Sequence, residues 1–302
     1  MILNTNYHTP VLLETSVDAL EIKPGGIYVD ATFGGGGHTR EILKRMKGGR
    51  LMAFDRDDET ECKLPEDERL IFVRNNFRFM SNFLRYYGIN KVDGILADLG
   101  VSSHHFDTAE RGFSFRFPEA ELDMRMNKNE ELTAQKIVNE YNTEALKGIF
   151  KEYGEIENAG KLASCIDNIR KHSRIATMSD LIKAVAPCIP KNAEKQYLAK
   201  LCQALRMETN HEIRALHHFL EQSVNLLNSG GRLVVISYHS LEDRPVKNFM
   251  RTGNVAGLRN TDFYGAVVAP FRSSSKVIVP SEDEIINNPR ARSAKLRVAE
   301  KI

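Results

Sequence analysis

Four consecutive glycines, Gly34–Gly37, join a segment of buried-strand character, Ile27–Phe33 (IYVDATF), to a segment whose apolar residues Ile42, Leu43 and Met46 recur on one helical face. Few chains can satisfy such a junction except by a strand turning sharply into a helix. Glycines permit the turn and let the backbone approach a ligand closely, while the helix start presents outward-pointing N–H groups. A second strand, Arg50–Asp55 (RLMAFD), ends in an acid. Lying about 20 residues past the loop, Asp55 stands where a carboxylate can accept both ribose hydroxyls of an adenine nucleoside.

The alternation continues. Arg69–Arg74 (RLIFVR) and Val92–Leu99 (VDGILADL) read as strands three and four, and the helix between strands two and three is short, because Glu59–Glu68 contains Pro65 and little periodicity. Strands alternating with helices imply a parallel sheet with right-handed crossovers. From about Thr133 to Leu227 only helical periodicity is present. Leu162, Cys165, Ile166 and Ile169 form one apolar stripe, and Leu198, Leu201, Cys202 and Leu205 another. Thr143, Ser179 and Asn210 stand where N-caps belong, Gly154 and Gly230 where helices should stop, and Pro187 and Pro190 interrupt the block. The sheet pattern returns at Gly231–His239 (GRLVVISYH). Ser240-Leu241-Glu242-Asp243 reads as a capping box opening a helix, and Lys276–Val279 and Lys295–Ala299 as closing strands.

A dinucleotide site wants GxGxxG, with the third glycine packing helix on strand. Here that position is Thr39, and four glycines are looser than a pyrophosphate clamp requires. S-adenosylmethionine, which has no phosphates, fits better. The expected fold class is α/β: a Rossmann-like class I methyltransferase sheet, its two closing strands forming an antiparallel edge, with a helical insertion domain after the fourth strand. Residues 1–105 and 213–302 are expected to form the adenosylmethionine-binding domain, and 106–212 a helical insert, to which resemblance to a known family, not the residue pattern, gives the recognition of RNA. Two rivals share this fold: a nucleotide-dependent oxidoreductase, against which Thr39 argues, and a non-catalytic RNA-binding or assembly factor, against which the intact loop and acids argue.

Among 302 residues, 42% are hydrophobic and 27% charged, with a net charge of +2, which excludes wholesale coating of nucleic acid but allows a local basic patch. No apolar run is long enough for a transmembrane helix, and Met1-Ile2-Leu3-Asn4-Thr5 lacks the start of a signal peptide, so a cytoplasmic location without membrane partners is expected. Cys62, Cys165, Cys188 and Cys202 form no CxxC pair and no zinc spacing with histidine; buried thiols and no metal are expected.

Several words resemble one family, the bacterial ribosomal small-subunit (16S) RNA (cytosine-N4)-methyltransferases. They are His8–Glu14 (HTPVLLE), Asp30–His38, Asp93–Ser103 (DGILADLGVSS), Ala109–Phe115 (AERGFSF), Leu122–Met126 (LDMRM), His239–Arg244 (HSLEDR) and Asn288–Ser293 (NPRARS), in the family's order over nearly the whole chain. The resemblance implies methylation, from S-adenosylmethionine, of the exocyclic amine of one cytidine in the decoding region (P site) of 16S rRNA in the small ribosomal subunit. It also implies cofactor contacts at Gly36, Gly37, His38, Asp55, Phe77 and Asp98. His105 occupies a further cofactor position where the family usually has glutamine. Phe77 either flanks the adenine or packs in the core.

Cytosine's amino lone pair is delocalised into the ring, so transfer needs precise positioning and a hydrogen-bond acceptor on the N–H. Asp98, ending strand four, is one such acceptor, facing either the cofactor's amino group or the base. His239 and Ser240 leave strand five toward the same crevice and are the other catalytic candidates, although Ser240 is equally suited to capping its helix. Glu110, Arg111, Asp123 and Arg125 start the insert and either gate the pocket or pair with one another; Arg111 and Arg125 are also candidate RNA contacts. Arg290 and Arg292 are the preferred phosphate contacts, with Arg170, Lys171, Arg174, Lys191, Lys195, Lys295 and Arg297 as further cations. A homo-oligomer is compatible with the sequence.

Overall fold

The computed structural model describes residues 10–101, 103–265, 268–273 and 276–302; His8, Thr9 and Ser102 of the family words lie outside the described residues. Two compact units form, one of Met1–Gly100 with Ile213–Ile302 and one of Val101–Glu212.

The first unit begins with α1 (Leu13–Asp18), β1 (Ile27–Asp30), α2 (Gly37–Arg45), β2 (Arg50–Asp55), β3 (Leu70–Arg74), α3 (Met80–Tyr86) and β4 (Val92–Asp98). The second contains α4 (Ser103–Asp107), α5 (Ala134–Glu140), α6 (Thr143–Glu152), α7 (Ala159–Arg170), α8 (Met178–Val185) and α9 (Glu194–Thr209). Then come α10 (Glu212–Leu226), β5 (Leu227–Ser237), α11 (Ser240–Thr252), β6 (Phe271–Ser273), α12 (Glu282–Asn287) and β7 (Lys295–Lys301).

The strands form one sheet in the order β3-β2-β1-β4-β5-β7-β6. The first five are parallel, and β7 runs antiparallel between β5 and β6. Strands covered on both faces must be apolar on both faces. Accordingly Met52, Phe54, Ile95, Ala97, Leu233 and Val235 pack with α3, α10 and α11 through Met80, Leu84, Phe219, Leu220, Val246 and Phe249. The alternate residues Leu51, Leu96, Val234 and Ile236 pack on the opposite face with Val17, Ile42 and Leu43. The strand order reverses between β1 and β4, so a crevice opens at their carboxyl ends, the place where open α/β sheets bind ligands. The second unit has its own apolar core, including Phe150, Leu162, Leu181, Leu201 and Leu205.

Local expectations shift in several places. β1 ends at Asp30 rather than Phe33; beyond it Asp30 Oδ1 accepts the Thr32 N–H at 3.1 Å, while Ala31 and Phe33 still donate to the carbonyls of Leu96 and Phe54. Between β2 and β3 stands only a 3-10 turn, Asp58–Lys63, capped by the Asp57 side chain. Asn142 and Thr177 cap α6 and α8, displacing Thr143 and Ser179, and Thr177 completes a capping box with Asp180. Asn210 ends α9 instead of starting a helix. Gly154 follows the end of α6 as expected, but Gly230, at φ 76°, lies within β5. His239, not Ser240, is the N-cap of α11, and Glu242 accepts the N–H of Tyr238. Of Lys276–Val279, only Ile278 pairs, as an isolated bridge to Leu296; Pro280 cannot donate to a ladder, and the edge strand is β6. Cys62 is exposed and Cys165 half-buried, so only Cys188 and Cys202 fit the expectation of buried thiols. No helix among the described residues is long and apolar enough to cross a membrane.

Candidate active site

The glycine loop shows why these positions exclude side chains. Gly36 caps α2 in the left-handed region at φ 75°, and a Cβ on Gly37 would stand 2.0 Å from Pro10 Cγ. Gly34 donates its N–H to Asp55 Oδ2 at 2.7 Å, while Asp55 Oδ1 accepts from Asp57 N at 2.9 Å. Asp55 thus ties the end of β2 to the loop while remaining half-buried. Each carboxylate oxygen keeps acceptor capacity beyond one backbone N–H.

Beneath the loop lies Asp30, fully buried at the end of β1. Its Oδ2 accepts from Thr39 Oγ1 at 2.6 Å. Burial pushes its carboxyl up to about 6, and the Thr39 and Thr32 hydrogen bonds oppose that rise. Thr39, which replaces a dinucleotide loop's third glycine, therefore serves as a donor to an otherwise isolated acid. Thr32 links the next strand, accepting the Asp98 N–H at 2.7 Å.

Asp98 ends β4 with 22% of its side chain exposed. Its Oδ1 accepts from the Tyr238 hydroxyl at 2.8 Å, and its Oδ2 stands 4.0 Å from His38 Nδ1. Burial raises its carboxyl to about 6; His38 and the Tyr238 hydroxyl oppose the rise, and Asp30 and Glu242 add to it. His38 is buried, which holds its imidazole below the ordinary range. His38 Nε2 lies 3.2 Å from the Val11 carbonyl. A carbonyl can only accept, so Nε2 carries the hydrogen and Nδ1 of the neutral ring presents a lone pair. Two acceptors, His38 Nδ1 and Asp98 Oδ2, therefore face each other at 4.0 Å. A ligand group with two N–H bonds satisfies both.

Tyr238 and His239 follow β5, whose Ile236 pairs in register with Asp98. His239 Nε2 stands 3.1 Å from Glu242 Oε1, and His239 Nδ1 is buried with no hydrogen-bond partner among the described residues. Glu242 is itself buried. Ser240 is exposed at the first turn of α11. Phe77 is half-buried, its ring edge-on to Phe219 at 5.4 Å, so packing accounts for part of its surface while the rest is open. Sequence reasoning assigns no site role to Asp30 or Tyr238, reads Thr39 only as the residue in place of a third glycine, and reads Glu242 only as part of a capping box. Only Asp30 carried a signal, an acid inside an otherwise apolar strand.

The predicted cations divide sharply. Arg297 makes a two-point pair with Asp243 at 2.6 and 3.1 Å, and Lys295 lies 3.7 Å from the same carboxylate. Arg290 and Arg292 are exposed on the short turn Pro289–Ser293.

In the second unit, Arg111 is buried and donates to the carbonyls of Arg125 and Met126 at 3.2 and 2.9 Å. Arg125 pairs with Asp123 at 2.7 and 2.8 Å and donates to the carbonyls of Lys128 and Glu130. Burial raises the Asp123 carboxyl, but the Arg125 hydrogen bonds outweigh it and hold the group below the usual range. The guanidinium groups of both arginines thus make hydrogen bonds within their own unit, the pairing of Arg125 with Asp123 being one of the alternatives the sequence leaves open. Arg170 likewise donates to the carbonyls of Val138 and Tyr141, Lys171 pairs with Asp167 and Arg174 donates to Gln135, whereas Lys191 and Lys195 are exposed. His105 is buried, its ring 4.9 Å from that of Phe113. No cluster of potential metal ligands occurs among the described residues.

Comparison with known proteins gives matches over the full chain. The sequence pattern of the MraW methylase family matches residues 5–302. A ribosomal RNA small subunit methyltransferase H from Bacteroides thetaiotaomicron is 57% identical over 297 residues, covering 98% of this chain and 97% of that protein. The protein of the same name from Bacteroides fragilis is 56% identical over 299 residues, 98% of each chain. That from Flavobacterium johnsoniae is 51% identical over 303 residues, spanning both chains in full.

Proposed function

The chain belongs to the MraW methylase family, and on that premise we propose that its target is the exocyclic N4 amine of a cytidine in the decoding region of 16S rRNA, within the small ribosomal subunit. It is an S-adenosylmethionine-dependent ribosomal RNA methyltransferase, and its relatives of 51–57% identity carry the name ribosomal RNA small subunit methyltransferase H. The facing acceptors His38 Nδ1 and Asp98 Oδ2 carry the chemical part of the proposal, because they suit a primary ammonium such as that of the cofactor's methionine end.

In this reading Asp55 accepts the ribose hydroxyls, the Gly36-Gly37-His38 backbone approaches the cofactor, and the open part of Phe77 lies against the adenine. The bound cofactor supplies an electrophilic methyl group on sulfonium. The protein must hold the amine in line with that methyl and receive a proton from it. His239 suits the proton-accepting role, because Nδ1 is buried and unpartnered among the described residues and Glu242 stands beside Nε2. Ser240, exposed at the head of α11, is assigned to the base's surroundings.

Arg290 and Arg292 are proposed as phosphate contacts. The second unit is proposed to recognise RNA, with Lys191 and Lys195 among its exposed cations. His105 keeps its assignment as a cofactor contact in place of glutamine.

The test is direct. The protein, S-adenosylmethionine and unmethylated small subunits are incubated, and the 16S rRNA is digested and mapped by mass. One N4-methylcytidine in a decoding-region fragment is expected. A methyl group elsewhere, or on another atom of the base, would overturn the assignment.

A further inference from the structure

Tyr238 lies immediately after β5, beside the end of β4. Its backbone N–H is held by the buried Glu242 at 3.1 Å, and its ring lies against Gly100, where an added Cβ would already come within 3.4 Å of Cδ2. These contacts aim the hydroxyl at Asp98 Oδ1, 2.8 Å away. The phenol is the donor here. Burial holds its ionisation far above the usual range, with the Asp98 charge adding to the effect.

A carboxylate rotates through a broad well about its terminal torsion. A donor locked on one oxygen fixes the plane of the group and therefore the direction of the other oxygen. Four ionisable groups act on Asp98: His38, Tyr238, Asp30 and Glu242. Of these, Tyr238 alone places a proton on a carboxylate oxygen, since His38 presents a lone pair and the two acids carry negative charge when ionised. Asp98 would otherwise sit among acceptors.

We propose that Tyr238 is a positioning residue for Asp98: its hydroxyl occupies Oδ1, keeps the group ionised, and leaves Oδ2 turned toward His38 Nδ1 to receive the cofactor's ammonium. The inference rests on the reading of Asp98 as that group's acceptor. It assigns the loop after β5 a role in cofactor binding, separate from any contact of His239 with the base.

Tyr238→Phe keeps the ring against Gly100 and removes only the donor. The experiment is calorimetric titration of the full chain with S-adenosylmethionine at intervals from pH 5.5 to 8, on wild type, Tyr238→Phe and Asp98→Asn. Protonation of Asp98 at the acid end should weaken binding in the wild type. Without the phenol, the carboxyl is easier to protonate. The acid-side fall in affinity should therefore move upward by about one pH unit, the equivalent of one hydrogen bond to a charged group. With Asp98 titrating at about 6 in the wild type, the Phe variant should bind about threefold more weakly near pH 6.5 and about eightfold more weakly near pH 5.5, and by pH 8 most of that gap should close. Asp30 also titrates near 6 but is held by Thr32 and Thr39, so its contribution is common to both proteins. Asp98→Asn should bind weakly, with the Asp98-dependent part of the acid fall absent.

A Phe variant whose curve runs parallel to the wild type, or coincides with it, would overturn the role of Tyr238. An Asp98→Asn protein with wild-type affinity and pH dependence would instead overturn the reading of Asp98. A uniform loss from packing gives parallel curves, so it cannot pass for the predicted shift.

Discussion

Asp55→Ala separates two roles that the structure assigns to one carboxylate. Oδ2 and Oδ1 accept the N–H groups of Gly34 and Asp57 at 2.7 and 2.9 Å, so the side chain braces the glycine loop even without ligand. In the proposed complex the same oxygens also accept ribose hydroxyls. Losing charge-assisted hydrogen bonds to the ligand should cost about 1.5–3 kcal/mol. At about 1.4 kcal/mol per decade, that is a rise of roughly 10- to 150-fold in the dissociation constant of S-adenosylmethionine. The loss of bracing should lower the melting temperature of the unliganded protein as well. Asp57→Ala is the matched control, because Asp57 caps the neighbouring turn through Glu59 N and lies outside the proposed ribose contact. Calorimetry and thermal melts on both variants and on Asp55→Asn should place Asn between wild type and Ala in affinity, with Asp57→Ala changing the melt more than the binding. Unchanged cofactor affinity in Asp55→Ala would remove Asp55 from the site. Equal losses of affinity in the Asp55 and Asp57 variants would reduce it to a loop brace.

The pH dependence of stability should carry the signature of Asp30. Its folded carboxyl titrates near 6, above the ordinary unfolded value, so stabilisation from the retained proton is present below about pH 4 and lost as pH rises through 6. Asp30→Asn should flatten the fall in unfolding free energy across that window by up to about 3 kcal/mol in urea titrations, and an unchanged slope would contradict it. Excising residues 106–212 behind a short linker should retain cofactor binding and abolish methylation, since the first unit's apolar clusters draw no residue from that span; a truncated protein that still methylates the subunit would refute the assignment. Arg290→Ala with Arg292→Ala should reduce the log–log salt slope of RNA binding by roughly 0.7 per lost phosphate contact, leaving cofactor affinity unchanged. A lowered melting temperature with an unchanged slope would assign the two arginines to the carboxylates of Glu282–Glu284. Arg297→Ala should instead destabilise by on the order of 1.5 kcal/mol, because Asp243 loses its two-point partner and keeps Lys295 at 3.7 Å.

The sheet was legible because its signals are local and redundant. Strands covered on both faces appear as apolar runs at Leu51–Phe54 and Ile95–Ala97, and the glycine loop announces the turn from β1 into α2. What failed depended on choosing between chemically equivalent neighbours. Asn142 and Thr143 are both acceptable caps, as are Thr177 and Ser179, and one residue of helical phase decides which side chain reaches the free N–H. Lys276–Val279 has strong strand composition, yet β7 receives Phe271–Ser273 as its edge partner, a tertiary pairing to which local propensity is blind.

At the site, the sequence supplied residue types and approximate places, whereas donor and acceptor roles came from the fold. Pairing of Arg125 with Asp123, two residues away, is one of the alternatives the sequence leaves open, and the Arg125 guanidinium donates to Asp123 and the carbonyls of Lys128 and Glu130. Arg290-Ala291-Arg292 has the same i, i+2 spacing, yet the 3-10 turn buries Ala291 and exposes both arginines. His38 shows the limit most clearly. The resemblance places His38 among the cofactor contacts without fixing its hydrogen-bond role; its Nε2 lies against the Val11 carbonyl and burial keeps the ring neutral. Nδ1 must then accept. His38 and Asp98, 4.0 Å apart, are therefore two acceptors facing one space rather than an ion pair, and a partner bound between them has to be a donor. In the proposed complex the primary ammonium of the sulfonium cofactor supplies that donor together with a positive charge, which an ionised Asp98 favours over the neutral N–H groups of an amide.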